Sequence, residues 1–346
     1  MNVLPIVSVV VPVYQQQAFV AEAVESLLSQ TLADIEIIVV DDGSIDDSAS
    51  IVESFSDPRL VLIRRPNGGP SVAINDGMLR ARGDFIALLG GDDVAEPWRL
   101  AHQVEVMVQR GIDIIFSEPT LIDREGRVLQ DTVVPNFYSH AGHRGAPSIF
   151  RQLVLDGNFL CAPTVMFRRN VFEEIGLFRP ELIQLQDYEY WMRAAAAGKV
   201  ISVMQRRTTR YRRHAGNLSS ASADDAMMAE MMVCLHRALA DAPALMIAEA
   251  FPEMMQPGQR SATRVDRALI AMAHRHAPAL SNVFLLRAFL SGDAADPDDT
   301  FLMARLSDLP LPVFSAGRTI LKSGIRSVSA ESAEEAMWMP ARKKSN

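Results

Sequence analysis

Cysteine is nearly absent: the chain of 346 residues holds only Cys161 and Cys234. That is too few for a disulfide framework and fits a reducing compartment. No charged residue precedes Glu22, so the apolar N-terminal stretch lacks the basic leader of a secretory signal. Nor does any run reach the roughly 20 apolar residues of a membrane-spanning helix. The N-terminal run is shorter and is broken by Pro5 and Pro12. Positive charge is also in deficit, with 34 Lys and Arg against 42 Asp and Glu and a net charge of −8. That balance excludes a general nucleic-acid binder. These absences predict a soluble or peripheral, cytoplasmic protein.

What is plentiful is apolar side chain, 49% of the residues, enough for a sizeable core. The length allows two domains, or one large domain with an appendage. The first hundred residues alternate β-branched apolar runs with helical spacing. Strands are predicted near 7–13, 36–41, 60–63 and 85–89. A helix with Phe19, Val20, Ala23, Val24, Leu27 and Leu28 on one face follows the first strand, and further helices are predicted near 46–55 and from Pro70 to about Arg82. Pro97 is read as opening another helix. Continuous apolar strands joined by helices imply a parallel sheet covered on both faces. Beyond 112 the expected elements are a strand at 112–116, a hairpin tip at Asp123-Arg124-Glu125-Gly126, and a loop at 130–147. They continue with a strand at 162–167, helices at 170–175 and 186–197, and extended chain at 200–211. From about 220 the composition turns to Ala, Met and Leu with helical spacing. The expected domains are therefore 1–220 and a helical region, 221–346, ending in a basic tail.

Two apolar strands end in paired acids: Val39-Val40 in Asp41-Asp42-Gly43-Ser44, and Leu88-Leu89 in Gly90-Gly91-Asp92-Asp93. In open α/β folds ligands bind outside the carboxyl ends of the strands. Carboxylates there suit ribose hydroxyls, a base edge and a hard divalent cation. A dehydrogenase would need Gly-x-Gly-x-x-Gly after the first strand, where this chain has Pro12-Val13-Tyr14-Gln15-Gln16.

Several segments occur in one order: Val11-Pro12-Val13-Tyr14; Ser26-Leu27-Leu28-Ser29-Gln30-Thr31; Val40-Asp41-Asp42-Gly43-Ser44 with Asp46; and Asn67-Gly68-Gly69-Pro70-Ser71 with Asn75 and Gly77. They continue with Gly91-Asp92-Asp93 and Pro97, Gly176-Leu177-Phe178, Gln186-Asp187-Tyr188-Glu189-Tyr190-Trp191, and Tyr211-Arg212-Arg213-His214. Over residues 5–219 the chain resembles the family 2 glycosyltransferases, inverting enzymes of the GT-A fold. The resemblance implies a GT-A type, Rossmann-like α/β architecture: a mixed, mainly parallel sheet with helices on both faces, plus the helical C-terminal region.

It also implies roles. Pro12 and Tyr14 would line the base pocket, with Asp41 and Asp42 on the base edge and ribose. Asp92 would ligate Mn²⁺ or Mg²⁺, and Asp93 and Asn75 would face the donor. Asp187 matches the second acid of the family's Glu-Asp pair, its general base. Gln186 replaces the first acid, which lowers like-charge repulsion and predicts a lower pKa for Asp187. Trp191, one helical turn on, would stack on the acceptor sugar. In the cluster Arg206, Arg207, Arg210, Arg212, Arg213 and His214, the resemblance assigns Arg212 and Arg213 to the donor diphosphate and His214 to metal or phosphate. The chain departs from the family pattern at Gly90, where an acid is usual, and at Gln15, Ile45 and Ile74.

The implied reaction moves a sugar from a nucleoside diphosphate sugar, UDP-linked by preference, to a hydroxyl of a glycan or lipid-linked acceptor in cell-surface polysaccharide synthesis. A non-catalytic nucleotide-sugar binder on the same fold is the competing reading, and would bind donor without turnover. Met227, Met228, Met231 and Met232 read as adaptable packing. His236, His274 and His276 lack metal-ligand spacing. The segment 309–330 has no acid and repeats Arg318, Lys322 and Arg326, which suits either a packing helix or one lying on an anionic membrane at the inner face of the cell membrane.

Overall fold

The computed structural model describes residues 4–129, 142–143, 145–218 and 224–255, with 258–260, 262, 266, 267 and 270. The N-terminal β-branched run forms β1 (Val7–Val13), with Val7, Val9, Val10 and Val11 wholly excluded from solvent. It is followed by α1 (Val20–Leu28), β2 (Ile35–Asp41), α2 (Ser48–Glu53), β3 (Leu60–Arg64), α3 (Pro70–Arg80) and β4 (Phe85–Leu88). These strands lie in the order β3-β2-β1-β4, all parallel. Helices on the faces explain why the strands read as unbroken apolar runs rather than alternating ones.

The chain continues with β5 (Val94–Ala95), α4 (Arg99–Arg110), β6 (Ile114–Ile122), β7 (Gly142–His143), α5 (Ala146–Asp156), β8 (Met166–Arg168) and α6 (Arg169–Ile175). It then forms α7 (Gln186–Ala196), β9 (Ile201–Arg212), α8 (Asp224–Asp241) and α9 (Ala244–Ala250). The sheet extends past β4 as β8-β6-β9-β5, and β7 pairs with β9. The result is the mixed sheet of the GT-A fold. Its long ladders are parallel, with seven register pairs between β1 and β2 against three between antiparallel β4 and β8. The chain divides after Met246 into two units, and the sheet and site belong to the first.

Local differences from the sequence reading have local causes. Helix α4 begins at Arg99, not Pro97, because the Arg99 N–H turns back to the Glu96 carbonyl at 2.9 Å. Residues 162–164 form a single 3₁₀ turn around Pro163 before β8, where a strand was expected. Helix α5 was missed; it starts inside the segment expected to be loop and ends at Gly157, whose φ of 86° suits glycine. Most of 130–147 lies outside the described residues. So do 309–330, His274, His276 and the basic tail. Among the described residues no single helix is long and apolar enough to cross a membrane.

Helix α3 sits close on β1 because Gly77 has no side chain: a Cβ there would lie 2.3 Å from a methyl of Val10, itself fully buried. Overpacking of this kind costs about 1–3 kcal/mol. Gly77→Ala is therefore expected to lower the unfolding free energy measured in urea by that amount, and adding Val10→Ala should recover part of it. Additive losses in the double variant would show that the contact is not the cause.

Candidate active site

The carboxyl edge of the parallel strands gathers the acids. Val13 at the end of β1 is in register with Asp41 at the end of β2, and β4 runs beside β1 into the Gly90–Asp93 turn. Asp92 receives two groups from far along the chain. Its Oδ2 lies 2.9 Å from His214 Nε2 and accepts a 3.0 Å hydrogen bond from Asn217 Nδ2. Asn217 also accepts the His214 N–H at 2.6 Å, so one amide fixes both partners. The His214 ring stacks on Phe19 at 4.8 Å between centroids. Asp92 and His214, expected at the metal, are thus brought together. Asn217 was missed, although it follows His214 by three residues in the same turn.

Arg212 holds this corner. Its side chain is buried, with Nε donating to the Asp92 carbonyl at 2.7 Å and Nη1 to the carbonyls of Asp123 at 3.2 Å and Arg124 at 2.9 Å. Nη2 pairs with Glu22 at 2.5 Å, and the guanidinium lies 5.0 Å from the Phe19 ring centre. Arg212, expected at the donor diphosphate, here gives its donors to the protein. Asp93, expected to face the donor, is engaged likewise. It is buried and accepts the Arg212 N–H at 2.9 Å. Burial, then the neighbouring Asp92 carboxylate, push its pKa well up, which suits a support under the turn rather than a donor contact. Arg99, another residue missed, faces it from α4 and donates to the carbonyls of Leu88 at 2.8 Å and Val165 at 3.1 Å; burial brings its pKa down to about 10. Gly90 is constrained too, since a Cβ there would lie 2.5 Å from Asp93 Oδ2 and 2.8 Å from Asp92 Oδ1. In this turn the acid usual at that position has no room unless both carboxylates move.

The other acid pair divides in the same way. Asp42 is buried, pairs with Arg65, and accepts the N–H groups of Gly68 at 2.9 Å and Gly69 at 2.8 Å. Asp42, expected on the donor, organises the turn before α3. Asp41 is buried as well, yet its Oδ1 has no hydrogen-bond partner. A buried acceptor left open is costly unless something fills it. Beside it Tyr14 is 47% exposed and Pro12 is partly exposed. The loop after Tyr14 is tied down by the Asp-Gly-Ser segment: Ser44, Ser48 and Asp46 accept the N–H groups of Gln15, Gln16 and Gln17 at 2.9, 2.8 and 3.2 Å.

Asp187 opens α7. Its Oδ2 accepts from Asn158 Nδ2 at 2.9 Å and its Oδ1 from the Tyr188 N–H at 2.7 Å. Burial nevertheless pushes its pKa up to about 6, outweighing these bonds and the nearby Trp191 indole. The sign is opposite to the expectation from Gln186, because desolvation of the carboxylate exceeds the relief from losing a like charge. Trp191 is corrected to core: it is fully buried, edge-on to Phe116 at 4.9 Å and Tyr190 at 5.2 Å. Asn75 is corrected as well. It donates to the Phe178 carbonyl at 2.7 Å and accepts the Phe178 N–H at 2.9 Å, a clamp between α3 and the chain leading to α7. Of the arginine cluster, Arg206 lies on Trp98 at 3.7 Å, Arg210 pairs with Glu96 at 2.8 Å and Arg207 with Glu118 at 3.9 Å. Arg213 is exposed beside His214.

Residues 8–176 match the family model described as glycosyl transferase family 2. Over that segment, just under half of its length, the chain is similar to the family 2 glycosyl transferases. An uncharacterized glycosyltransferase of Rickettsia prowazekii is 32% identical to the chain over 193 residues, 55% of this chain and 58% of that protein. The uncharacterized glycosyltransferase EpsJ of Bacillus subtilis is 41% identical over 114 residues, 32% of this chain and 33% of that protein. The chain thus spans less than two thirds of the length of these relatives. Among solved structures, residues 1–349 of Staphylococcus aureus TarS in complex with UDP-GlcNAc are similar with a TM-score of 0.59 at 20% identity, covering 89% of this chain and 82% of that one. The Pyrobaculum calidifontis mannosyltransferase PcManGT, in complex with GDP-Man and Mn²⁺, is similar with a TM-score of 0.53 at 15% identity, covering 97% of this chain and 88% of that one. At these identities the likeness establishes the fold.

Glu22 is half-exposed, so the loss of Arg212 falls on the Asp92, Asp123 and Arg124 carbonyls left without a donor, about 1–3 kcal/mol for each that stays buried. Arg212→Met should therefore lower the thermal midpoint and free His214 from Asp92, read as shifted His214 ring signals in NMR spectra. An unchanged His214 signal would show that Arg212 does not hold the corner.

Proposed function

We propose that the chain transfers a sugar, with inversion, from a nucleoside diphosphate sugar to a hydroxyl acceptor. The observation that carries the reading is the convergence of His214 and Asn217 on Asp92 at the carboxyl edge of the sheet. There, Asp41 Oδ1, Pro12 and Tyr14 offer a place for the base and ribose. Asp92 and His214 are suitable ligands for Mg²⁺ or Mn²⁺, which take one or two protein groups and complete their shell with phosphate oxygens and water. Among the described residues no cluster of three or more His, Cys, Asp or Glu could hold a metal by itself, so a bound donor diphosphate would complete the site. A metal there would neutralise charge on the departing diphosphate. Arg213 stands on the same turn as a candidate phosphate contact.

Asp187 takes the proton of the acceptor hydroxyl as that oxygen bonds to the anomeric carbon and the bond to the diphosphate breaks. With a pKa of about 6 it is ionised at pH 7 and is a stronger base than an ordinary carboxylate. A UDP-linked donor is the preferred reading, supported by the fold's likeness to a protein in complex with UDP-GlcNAc. A glycan or lipid-linked acceptor, and peripheral contact with the inner face of a membrane, complete the proposal.

Calorimetric titration of UDP and GDP with Mn²⁺, and again with EDTA, tests the donor site. Metal-dependent binding is expected, and Asp92→Asn should weaken it. Asp187→Asn should keep donor binding and lose transfer by about 10²–10⁴-fold. Equal loss of donor binding in both variants would sink these roles, and donor binding without turnover on any acceptor would favour the non-catalytic binder. The rate should rise with pH along an acid limb centred near 6. The sign for stability is opposite. Because the folded pKa of Asp187 lies above its unfolded value, its contribution is present at low pH and is lost as pH rises through about 6. Asp187→Asn should therefore raise the thermal midpoint above pH 7, and a lowered midpoint there would contradict the burial argument.

A further inference from the structure

Helix α7 begins without a cap of its own. Its N-cap residue is Leu185, whose side chain cannot accept a hydrogen bond; inside the first turn only Asp187 accepts an amide, that of Tyr188. The N–H of the N-cap residue needs an acceptor from elsewhere. It comes, with acceptors for the two amides just before the helix, from α8, outside the residues matched to the family. Glu230 Oε1 accepts the Ile183 N–H at 3.0 Å, and Oε2 accepts those of Gln184 at 2.9 Å and Leu185 at 2.8 Å. One carboxylate thus satisfies three consecutive amides.

The rest of that face of α8 grips the same segment. Cys234, one turn after Glu230, directs its thiol to the Leu185 carbonyl at 3.8 Å. Arg237, a further turn on, pairs with Glu181 at 2.7 Å. Positions i, i+4 and i+7 share one face of a helix, so the three contacts form a single stripe. From the opposite side α3 supplies Ser71, whose hydroxyl donates to the Leu182 carbonyl at 2.8 Å, and the Asn75 clamp on Phe178. The segment 178–185 is therefore held between α3 and α8, and it delivers Asp187 two residues later.

We propose that Glu230 is a positioning residue for Asp187: by capping α7 from α8 it sets where the base stands relative to the acceptor hydroxyl. The inference rests on the reading of Asp187 as the base. A negative carboxylate at a helix N-terminus is also electrostatically favoured, which gives the clamp a preferred helix end. Misplacement of a reacting group by about 1 Å can cost on the order of 10²-fold in rate, so a loosened cap should appear in turnover before it appears in donor affinity.

The test uses the full chain with Glu230→Ala and Glu230→Gln, measuring kcat, donor KM, UDP affinity and amide hydrogen exchange at Ile183, Gln184 and Leu185. Glu230→Ala is expected to lower kcat by about tenfold or more, with donor KM and UDP affinity within about twofold, and to speed exchange at those three amides. Glu230→Gln keeps one acceptor oxygen and should recover part of both kcat and protection; it also carries the test if the alanine variant does not fold. An unchanged kcat, unchanged exchange, or a parallel loss of donor affinity would overturn the positioning role. An unaltered protein that binds donor and transfers nothing would instead overturn the base assignment, and the Glu230 role with it.

Discussion

A buried guanidinium cannot be left without partners, and Arg212 obtains its own from three separate parts of the chain. The Asp92 and Asp123–Arg124 carbonyls, the Glu22 carboxylate and the face of Phe19 surround it, while its N–H reaches Asp93. The desolvation of that charge is offset only when these groups close around it together. Once they do, the end of β9 is tied to the turn after β4, and the next residues have little choice. His214 and Asn217 fall on Asp92 because Arg212 has fixed the strand end just before them. The proposed metal and diphosphate corner thus depends on an arginine whose side-chain donors are given to the protein.

The two Asp-Asp pairs follow one logic. In each, one carboxylate is consumed by the fold and the other is the proposed ligand contact. Asp42 holds the turn ahead of α3 through Arg65, Gly68 and Gly69, leaving Asp41 with an open oxygen. Asp93 supports the turn beneath Arg212, leaving Asp92 to His214 and Asn217. The candidate base is arranged differently. It sits in the first turn of α7, and its high pKa comes from burial rather than from a second acid. Asn158, Trp191 and the 178–185 segment shape its surroundings, and three helices contribute to holding it.

Much of the fold was legible because its causes are local. Unbroken apolar runs ending in Gly and Asp announced β1, β2 and β4 and the edge where they meet. The spacing of Val20, Ala23, Val24 and Leu27 announced the buried face of α1. The candidate ligands Asp92 and His214, and the candidate base Asp187, were legible through motifs whose chemistry is tied to residue type. Their partners were less so. Asn158 carries no signal beyond following a helix-ending glycine, and Glu230 lies in an Ala- and Met-rich helix with no motif at all.

Sequence by itself determined the strand–helix alternation, the acidic sheet edge and the residue types on which the proposed chemistry rests, because apolar periodicity and side-chain type act over a few residues. Tertiary structure alone decided which member of each acid pair is spent, that Trp191, Asn75 and Arg212 serve the framework, and that the Asp187 pKa moves up. Those outcomes are set by burial and by partners up to 190 residues away, as between Glu22 and Arg212. Desolvation and long-range hydrogen bonding exist only once the chain has closed on itself, so no local pattern encodes them.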